Sequence, residues 1–333
     1  MTHRLAFAGF RHPHILALWR LAKTHPACEI AGTWEGDPTT RARLEREGEV
    51  TFTHEDFADL LQSDFCTAVA IGDVYARRGS LAISALRAGK HVISDKPVCT
   101  ELGELDQIAE LVRGGRLCLG AQLDLVENRA FLKMRSIIQS GRIGRVCTMN
   151  VSAQHPLRMG TRAGWYFEPG QHGGTINDIG VHVFHLAPWL TGLSWDHVVA
   201  AREWNAKAVE TPHFMDCAQV YGVLAGGATC FADLSYLAPD HLGYDLPQYW
   251  RVTVHGTRGM CETGYAMDTV FLATDEDEIP HHEPALDLPG RNYLDDFFDE
   301  IAGTPRQDGL STESIISVSR LALEAQRQAS RSR

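Results

Sequence analysis

No Cys-x-x-Cys pair occurs among the eight cysteines of this chain. That absence removes the spacing that a zinc ribbon or a redox dithiol would need. Several cysteines sit inside apolar runs, as in Leu117-Cys118-Leu119, and read as small buried hydrophobes in a reducing compartment. No apolar run approaches the roughly 18 residues of a membrane span, so no membrane partner is expected. The apolar part of the opening Met1–Gly9 is too short for a signal peptide and reads as a buried first strand. A cytoplasmic location is therefore expected. Positive charge is in deficit: the formal net charge is −11. Such a surface repels phosphate backbones, and no nucleic-acid partner is expected. Internal repeats and low-complexity linkers are also missing. What remains is 333 residues, 44% hydrophobic and 22% charged, enough for one large domain or two of ordinary size.

The first 120 or so residues alternate short apolar runs with amphipathic stretches. Leu5–Gly9, Glu29–Trp34, Thr67–Ile71, His91–Ile93 and Leu117–Ala121 read as strands. Ile15–Lys23, Thr39–Glu47, His54–Leu61, Arg78–Ala88 and Leu102–Arg113 read as helices between them. Strict alternation implies right-handed crossovers and a doubly wound parallel sheet with helices on both faces. Ligands then bind beyond the C-terminal strand ends. From about Asn128 the character changes. A helix over Ala130–Ser140 and a helical block over Thr175–Leu190 accompany strand-like runs at Val146–Ala153, Val198–Trp204, Cys217–Leu224, Thr229–Leu234, Trp250–His255 and Met260–Glu262. These follow one another without crossover helices and predict an antiparallel sheet. Helices are expected over Asn292–Ala302 and Glu313–Gln328, with a frayed tail from Arg327. The chain is thus read as α/β: a doubly wound domain over 1–122 and an α+β domain over 123–333. Weak alternation in the later strands leaves the outer sheet face partly apolar, and a homo-oligomer would cover it.

The glycine turn after the first strand departs from the dinucleotide pattern G-x-G-x-x-G. Here it reads Gly9-Phe10-Arg11-His12-Pro13-His14, with Arg11 and His14 at the second and third glycine positions. Two readings stand open. Arg11 blocks the pyrophosphate, or the loop swings wider, Pro13 opens the helix and Arg11 adds charge for the phosphates. The second strand ends in Trp34-Glu35, where an acidic residue accepts hydrogen bonds from adenosine ribose hydroxyls and repels a 2′-phosphate. Glu35 therefore favours NAD over NADP; alternatively it caps the turn leading to Asp37-Pro38. Two further segments carry chemistry. His91-Val92-Ile93-Ser94-Asp95-Lys96-Pro97 brings a lysine to a strand's C-terminal edge, where it can hold a substrate alkoxide. Gly173-Gly174-Thr175-Ile176-Asn177-Asp178-Ile179-Gly180-Val181-His182 sets Asp178 and His182 four apart on one helical face. There the carboxylate can orient an imidazole base. His182 and His185 with Asp178 would also suit a metal, but Lys96 would then lack a task, and no metal is expected.

These segments resemble the Gfo/Idh/MocA family of oxidoreductases over nearly the whole chain. Ala85-Leu86-Arg87-Ala88-Gly89-Lys90-His91-Val92 with Asp95-Lys96-Pro97 is similar to the family's A-L-x-A-G-K-H-V…E-K-P, with Asp95 for the usual Glu. Gly173-Gly174…Asp178-x-Gly180-x-His182 matches its G-G-x-x-x-D-x-G-x-H, and Ser140–Gly144 and Gly256–Gly259 match family punctuation. The resemblance implies a dinucleotide-binding Rossmann domain over 1–122 and an open, mainly antiparallel sheet domain over 123–333 for substrate binding and oligomerisation, as a homodimer or homotetramer, with Lys96, Asp178 and His182 as the catalytic trio. It implies a sugar, sugar derivative or cyclitol as substrate. Gln122, His155 and Trp165 are expected around that substrate, and Gly9, Phe10, Arg11, His12, Glu35, Gly72, Asp73, Tyr75 and Lys96 around the cofactor. Three departures are visible: the glycine turn is degenerate, Gly72-Asp73-Val74-Tyr75 replaces the family's A-T-P-N, and His185 stands where an Asp is common. A redox-neutral glycosidase or lyase, or a non-catalytic sensor on the same fold, are the alternatives.

Overall fold

The structure, a computed structural model, describes residues 2–62, 65–287 and 290–332. It divides into two compact units. The first comprises Met1–Gln122, Ala163–Gly173 and Arg291–Arg320; the second comprises Leu123–Arg162, Gly174–Gly290 and Leu321–Arg333.

The first unit runs β1 (His3–Ala8), α1 (His14–Thr24), β2 (Cys28–Trp34), α2 (Pro38–Arg46), α3 (Phe57–Gln62), β3 (Ala68–Ile71), α4 (Tyr75–Arg87), β4 (His91–Asp95), α5 (Leu102–Val112) and β5 (Leu119–Gln122). All five strands are parallel, in the order β2-β1-β3-β4-β5. Strand β3, Ala-Val-Ala-Ile, is buried on both faces, as a sheet covered by helices requires. Helix α1 buries Ile15, Leu18, Trp19 and Ala22, spaced by three and four. Residues 51–54 lie beside β2: the Thr53 and His54 amides donate to Thr33 O, and the Thr33 amide donates to Thr53 Oγ1 at 2.9 Å. The chain leaves β1 on one side for β2 and returns on the other for β3. The crevice between β1 and β3 is therefore a topological switch point.

In the second unit come α6 (Arg129–Gln139), β6 (Val146–Pro156), a π-helical turn (Ile176–Gly180) that leads into α7 (Val181–Thr191), and β7 (Trp195–Trp204). Then follow β8 (Cys217–Leu224), β9 (Thr229–Ala238), β10 (Arg251–Gly256), β11 (Gly259–Gly264), β12 (Thr269–Thr274) and β13 (His281–Pro284). The eight strands are ordered β13-β12-β11-β10-β6-β9-β8-β7. Every pair is antiparallel except β6–β9. Period-2 alternation sorts the faces: Cys230, Ala232 and Leu234 are buried while Phe231 between them is exposed. The exposed Val199 and Tyr221 lie on the neighbouring β7 and β8.

The chain closes with α8 (Tyr293–Ile301) and α9 (Thr312–Arg331). The expected fraying from Arg327 is corrected: the helix continues to Arg331. Ala329 is fully buried, and Ser330 Oγ donates to Glu203 Oε1 at 2.7 Å. Strands β12 and β13 were not expected from the sequence.

Candidate active site

In the first unit the loop after β1 closes directly onto the loop after β3. Gly9 has φ +79°, and a Cβ there would lie 2.8 Å from the Asp73 backbone nitrogen. Only glycine satisfies both demands. His12 N donates to Gly72 O at 3.1 Å. A Cβ on Gly72 would enter the Ile15 side chain, so Gly72 lets α1 start close against the sheet. Pro13 precedes α1, whose first turn carries no acidic residue. The positive end of the helix is thereby left uncompensated.

Glu35, just past β2, is buried. Its Oε2 accepts from Phe10 N at 2.5 Å and its Oε1 from Asp37 N at 2.7 Å. Burial pushes its carboxyl up to about 7, against the downward pull of those two amides. Asp37 in turn caps α2 by accepting from Thr40 N at 2.8 Å. Arg11 is half-buried, with Nη2 4.0 Å from Asp37 Oδ1.

Arg78, in the first turn of α4, is fully buried and was not picked out in the sequence. Its Nε donates to Asp73 O and its Nη2 to Asp95 Oδ2, both at 2.8 Å; Nη1 donates to Lys96 O and Pro97 O. One guanidinium therefore sets the backbone on both sides of the cis Lys96–Pro97 peptide. Burial pushes the Asp95 carboxyl up, but Arg78 and His12 outweigh it and hold the group well below the usual carboxylate range. His12 Nδ1 is hydrogen-bonded to Asp95 Oδ2. His12 Nε2 meets the hydroxyls of Tyr166 at 2.8 Å and Tyr75 at 3.2 Å, and those hydroxyls are 2.7 Å apart. Burial lowers His12 to about 3, and the attraction of Asp95 only partly offsets this, so the imidazole is neutral. Trp165 Nε1 donates to Arg11 O at 3.4 Å. Gln122 ends β5 opposite Asp95, and its buried Oε1 accepts no hydrogen bond among the described residues.

Lys96, Gln122, Trp165 and the expected cofactor residues thus belong to the first unit; His155, Asp178 and His182 belong to the second. The π turn carries Asp178. Such widened turns are rare inside helices and recur at functional sites. Gly174, with φ +95°, makes room for Gln326, whose Oε1 accepts from Ile176 N at 3.0 Å and Asn177 N at 3.3 Å. Glu203 fixes that amide by accepting from Gln326 Nε2 at 2.6 Å. Asp178 Oδ2 accepts from the Tyr236 hydroxyl of β9, and both side chains are buried. The buried His182 packs edgewise on Trp250, 5.3 Å between centroids. Parallel pairing of β6 with β9 brings His155 to 6.1 Å from Tyr236; Tyr249 and Trp250 lie at 4.9 and 5.6 Å from the same imidazole. His185 is buried and lowered to about 4 by burial alone. Among the described residues, the group able to surround one metal ion is His12, His14 and Asp95; the set Asp178, His182 and His185 is not such a group.

The first unit has the organisation of a dinucleotide-binding oxidoreductase domain. Residues 7–121 match the model of an oxidoreductase family with an NAD-binding Rossmann fold, and residues 131–262 match the GFO/IDH/MocA C-terminal domain. The chain belongs to the GFO/IDH/MocA oxidoreductase family. It is 30% identical over 138 residues to a dTDP-3,4-didehydro-2,6-dideoxy-alpha-D-glucose 3-reductase of Streptomyces violaceoruber, covering 41% of this chain and 40% of the relative. It is 24% identical over 228 residues to a myo-inositol 2-dehydrogenase of Thermotoga maritima, covering 67% and 64% respectively. The matched stretches thus span less than two thirds of either curated relative. A levoglucosan dehydrogenase solved with NADH shares the fold, with a TM-score of 0.81 and 17% identity over 99% of this chain and 98% of that one.

Proposed function

We propose that this chain is an NAD-dependent dehydrogenase that moves a hydride to or from a hydroxyl-bearing carbon of a sugar, sugar derivative or cyclitol. One observation carries the reading above the others. Asp178 is buried, held by the Tyr236 hydroxyl on a π turn, and stands four residues ahead of the buried His182. Burying a carboxylate and an imidazole is a cost that a core needing only to pack does not incur. The names of the inositol, levoglucosan and deoxysugar relatives support the substrate class.

The residues at the switch point fit a dinucleotide. The tight Gly9–Asp73 approach opens the turn, and α1 presents an uncompensated N-terminus. Gly9, Phe10, Arg11, His12, Gly72, Asp73 and Tyr75 would hold the cofactor, and Arg11 lends charge to the phosphates. Glu35 accepts the adenosine ribose hydroxyls and, when ionised, repels a 2′-phosphate, which favours NAD over NADP. Bound NAD supplies the hydride acceptor. Lys96 binds the substrate oxygen and stabilises negative charge on it. His182 takes the hydroxyl proton on an imidazole nitrogen, and Asp178, restrained by Tyr236, keeps that imidazole oriented. Gln122, His155 and Trp165 contact the substrate's hydroxyls and apolar ring faces.

The exposed Val199, Tyr221 and Phe231 on the outer sheet face support a homodimer or homotetramer. Eight free thiols support a cytoplasmic location; no helix of the described residues is long and apolar enough to cross a membrane. The test is to incubate the protein with NAD and a panel of cyclitols and pyranoses. Accumulation of NADH at 340 nm is expected. Product release without net NADH would instead favour redox-neutral chemistry through a transient ketone, and tight NAD binding without turnover would favour a sensor.

A further inference from the structure

We propose that His12, His14 and Asp95 form a binding site for one divalent transition-metal ion of the zinc class. The inference is independent of the substrate assigned above. His14 stands at the third glycine position of the turn, and the two histidines bracket Pro13 after β1. Asp95 ends β4. One donor atom from each lies within 4.8 Å of the other two, so a small closing movement brings all three within the roughly 4 Å that one cation with ligand bonds of about 2 Å can bridge.

The carboxylate supplies the second observation. Asp95 is fully buried, yet only Oδ2 is engaged, by His12 and Arg78; Oδ1 accepts no hydrogen bond among the described residues. His14 Nδ1 stands 3.6 Å from that oxygen, too far for a hydrogen bond and suited to two ligands of one ion. His14 is half exposed, so the site opens outward and leaves a coordination position for a water or a ligand oxygen.

The surroundings match what ligating groups need. A histidine that ligates through one nitrogen normally hydrogen-bonds through the other, and His12 Nε2 faces the Tyr166 and Tyr75 hydroxyls. A ligating carboxylate is normally hydrogen-bonded on its second oxygen, and Arg78 does this for Asp95. The donor set fixes the selectivity: one carboxylate, already paired with Arg78, does not supply the oxygen ligands that calcium or magnesium need. Two imidazoles suit zinc, cobalt or nickel. Other charged groups near the site are Arg77 and Asp73, which pair with each other at 3.3 Å. The ion would tie the loop after β1 to the strand end that leads into Lys96.

The experiment strips the full-length protein with a chelator and titrates it with zinc against a chromophoric competitor. One zinc per chain is expected, with no binding of calcium or magnesium. His14→Ala, an exposed change expected to leave far-ultraviolet circular dichroism and melting unaltered, should weaken zinc binding at least about tenfold. Tyr166→Phe, which removes the nearer of the two hydroxyl partners of His12, should weaken it by about tenfold. Cobalt in the same site should show visible bands of a four- or five-coordinate ion, lost in His14→Ala. No stoichiometric zinc, or zinc bound equally by wild type and His14→Ala, would overturn the assignment.

Discussion

At the scale of single residues, buried charge separates two kinds of group. Glu35 has a folded value of about 7 against an ordinary 4.5. The folded protein thus favours its protonated form. Its contribution to stability is complete below about pH 4.5 and disappears as the pH rises toward 7. The loss across that window is about 3 kcal/mol. Glu35→Gln should flatten the decline, measured as the urea midpoint at successive pH values; an unchanged slope would remove Glu35 as its source. In the same range, wild-type preference for NAD over NADP should sharpen as Glu35 ionises. Arg78 is the opposite kind, a buried cation with a buried anion, Asp95. Arg78→Met would strand that carboxylate and cost about 3–5 kcal/mol by chemical denaturation. A loss under 1 kcal/mol would mean that the His12 contact alone suffices.

At the scale of elements, the π turn before α7 is held from a distance. The Gln326 carbonyl satisfies two amides at its start, and Glu203 fixes the amide group. Gln326→Ala should cost about 1–3 kcal/mol by leaving those amides unpaired. If the turn aims Asp178, turnover should also fall while affinity for NAD, measured by calorimetry, stays the same. Equal losses in both would reduce Gln326 to a general stabiliser. These contacts explain what the sequence left hidden. Asp178 and His182 are legible as a motif because they lie four apart. Tyr236 is 58 residues from Asp178 and Gln326 is 150 from Ile176, so no local pattern links them. Arg78 reads as an ordinary polar residue on an amphipathic helix until its three backbone partners are seen. Strand β13, His-His-Glu-Pro, has no apolar alternation; pairing with β12 alone makes it a strand. The frayed tail was expected because Arg327–Arg333 is polar, but Ala329 and Ser330 find partners that local polarity does not announce.

At the scale of the whole molecule, strand–helix alternation made the parallel sheet of the first unit legible, and consecutive strands made the second sheet legible as mainly antiparallel. The one parallel pair, β6–β9, was not, because strand direction within a sheet depends on long connections. That segments 163–173 and 291–320 pack with the first unit is likewise a matter of long-range contact. The outer face of the second sheet leaves Phe231 and Tyr221 side by side in register on β9 and β8, with Val199 nearby on β7. Covering such a face is favourable. Light scattering should therefore give a dimer or tetramer, and Phe231→Glu should shift it toward monomer with the fold intact. A monomeric wild type would contradict this.

In the proposed reaction Lys96 and His182 serve one alcohol oxygen. The direct measurement is a single-turnover reaction at 340 nm with saturating NAD and the best polyol substrate of the wild-type protein. Wild type should give a burst of NADH whose rate rises with pH as the base deprotonates. Lys96→Ala and His182→Ala should bind NAD as before yet form NADH more slowly by several orders of magnitude, and His182→Ala should lose the pH-dependent rise. A near wild-type burst in either variant, or an unchanged pH profile in His182→Ala, would contradict the account.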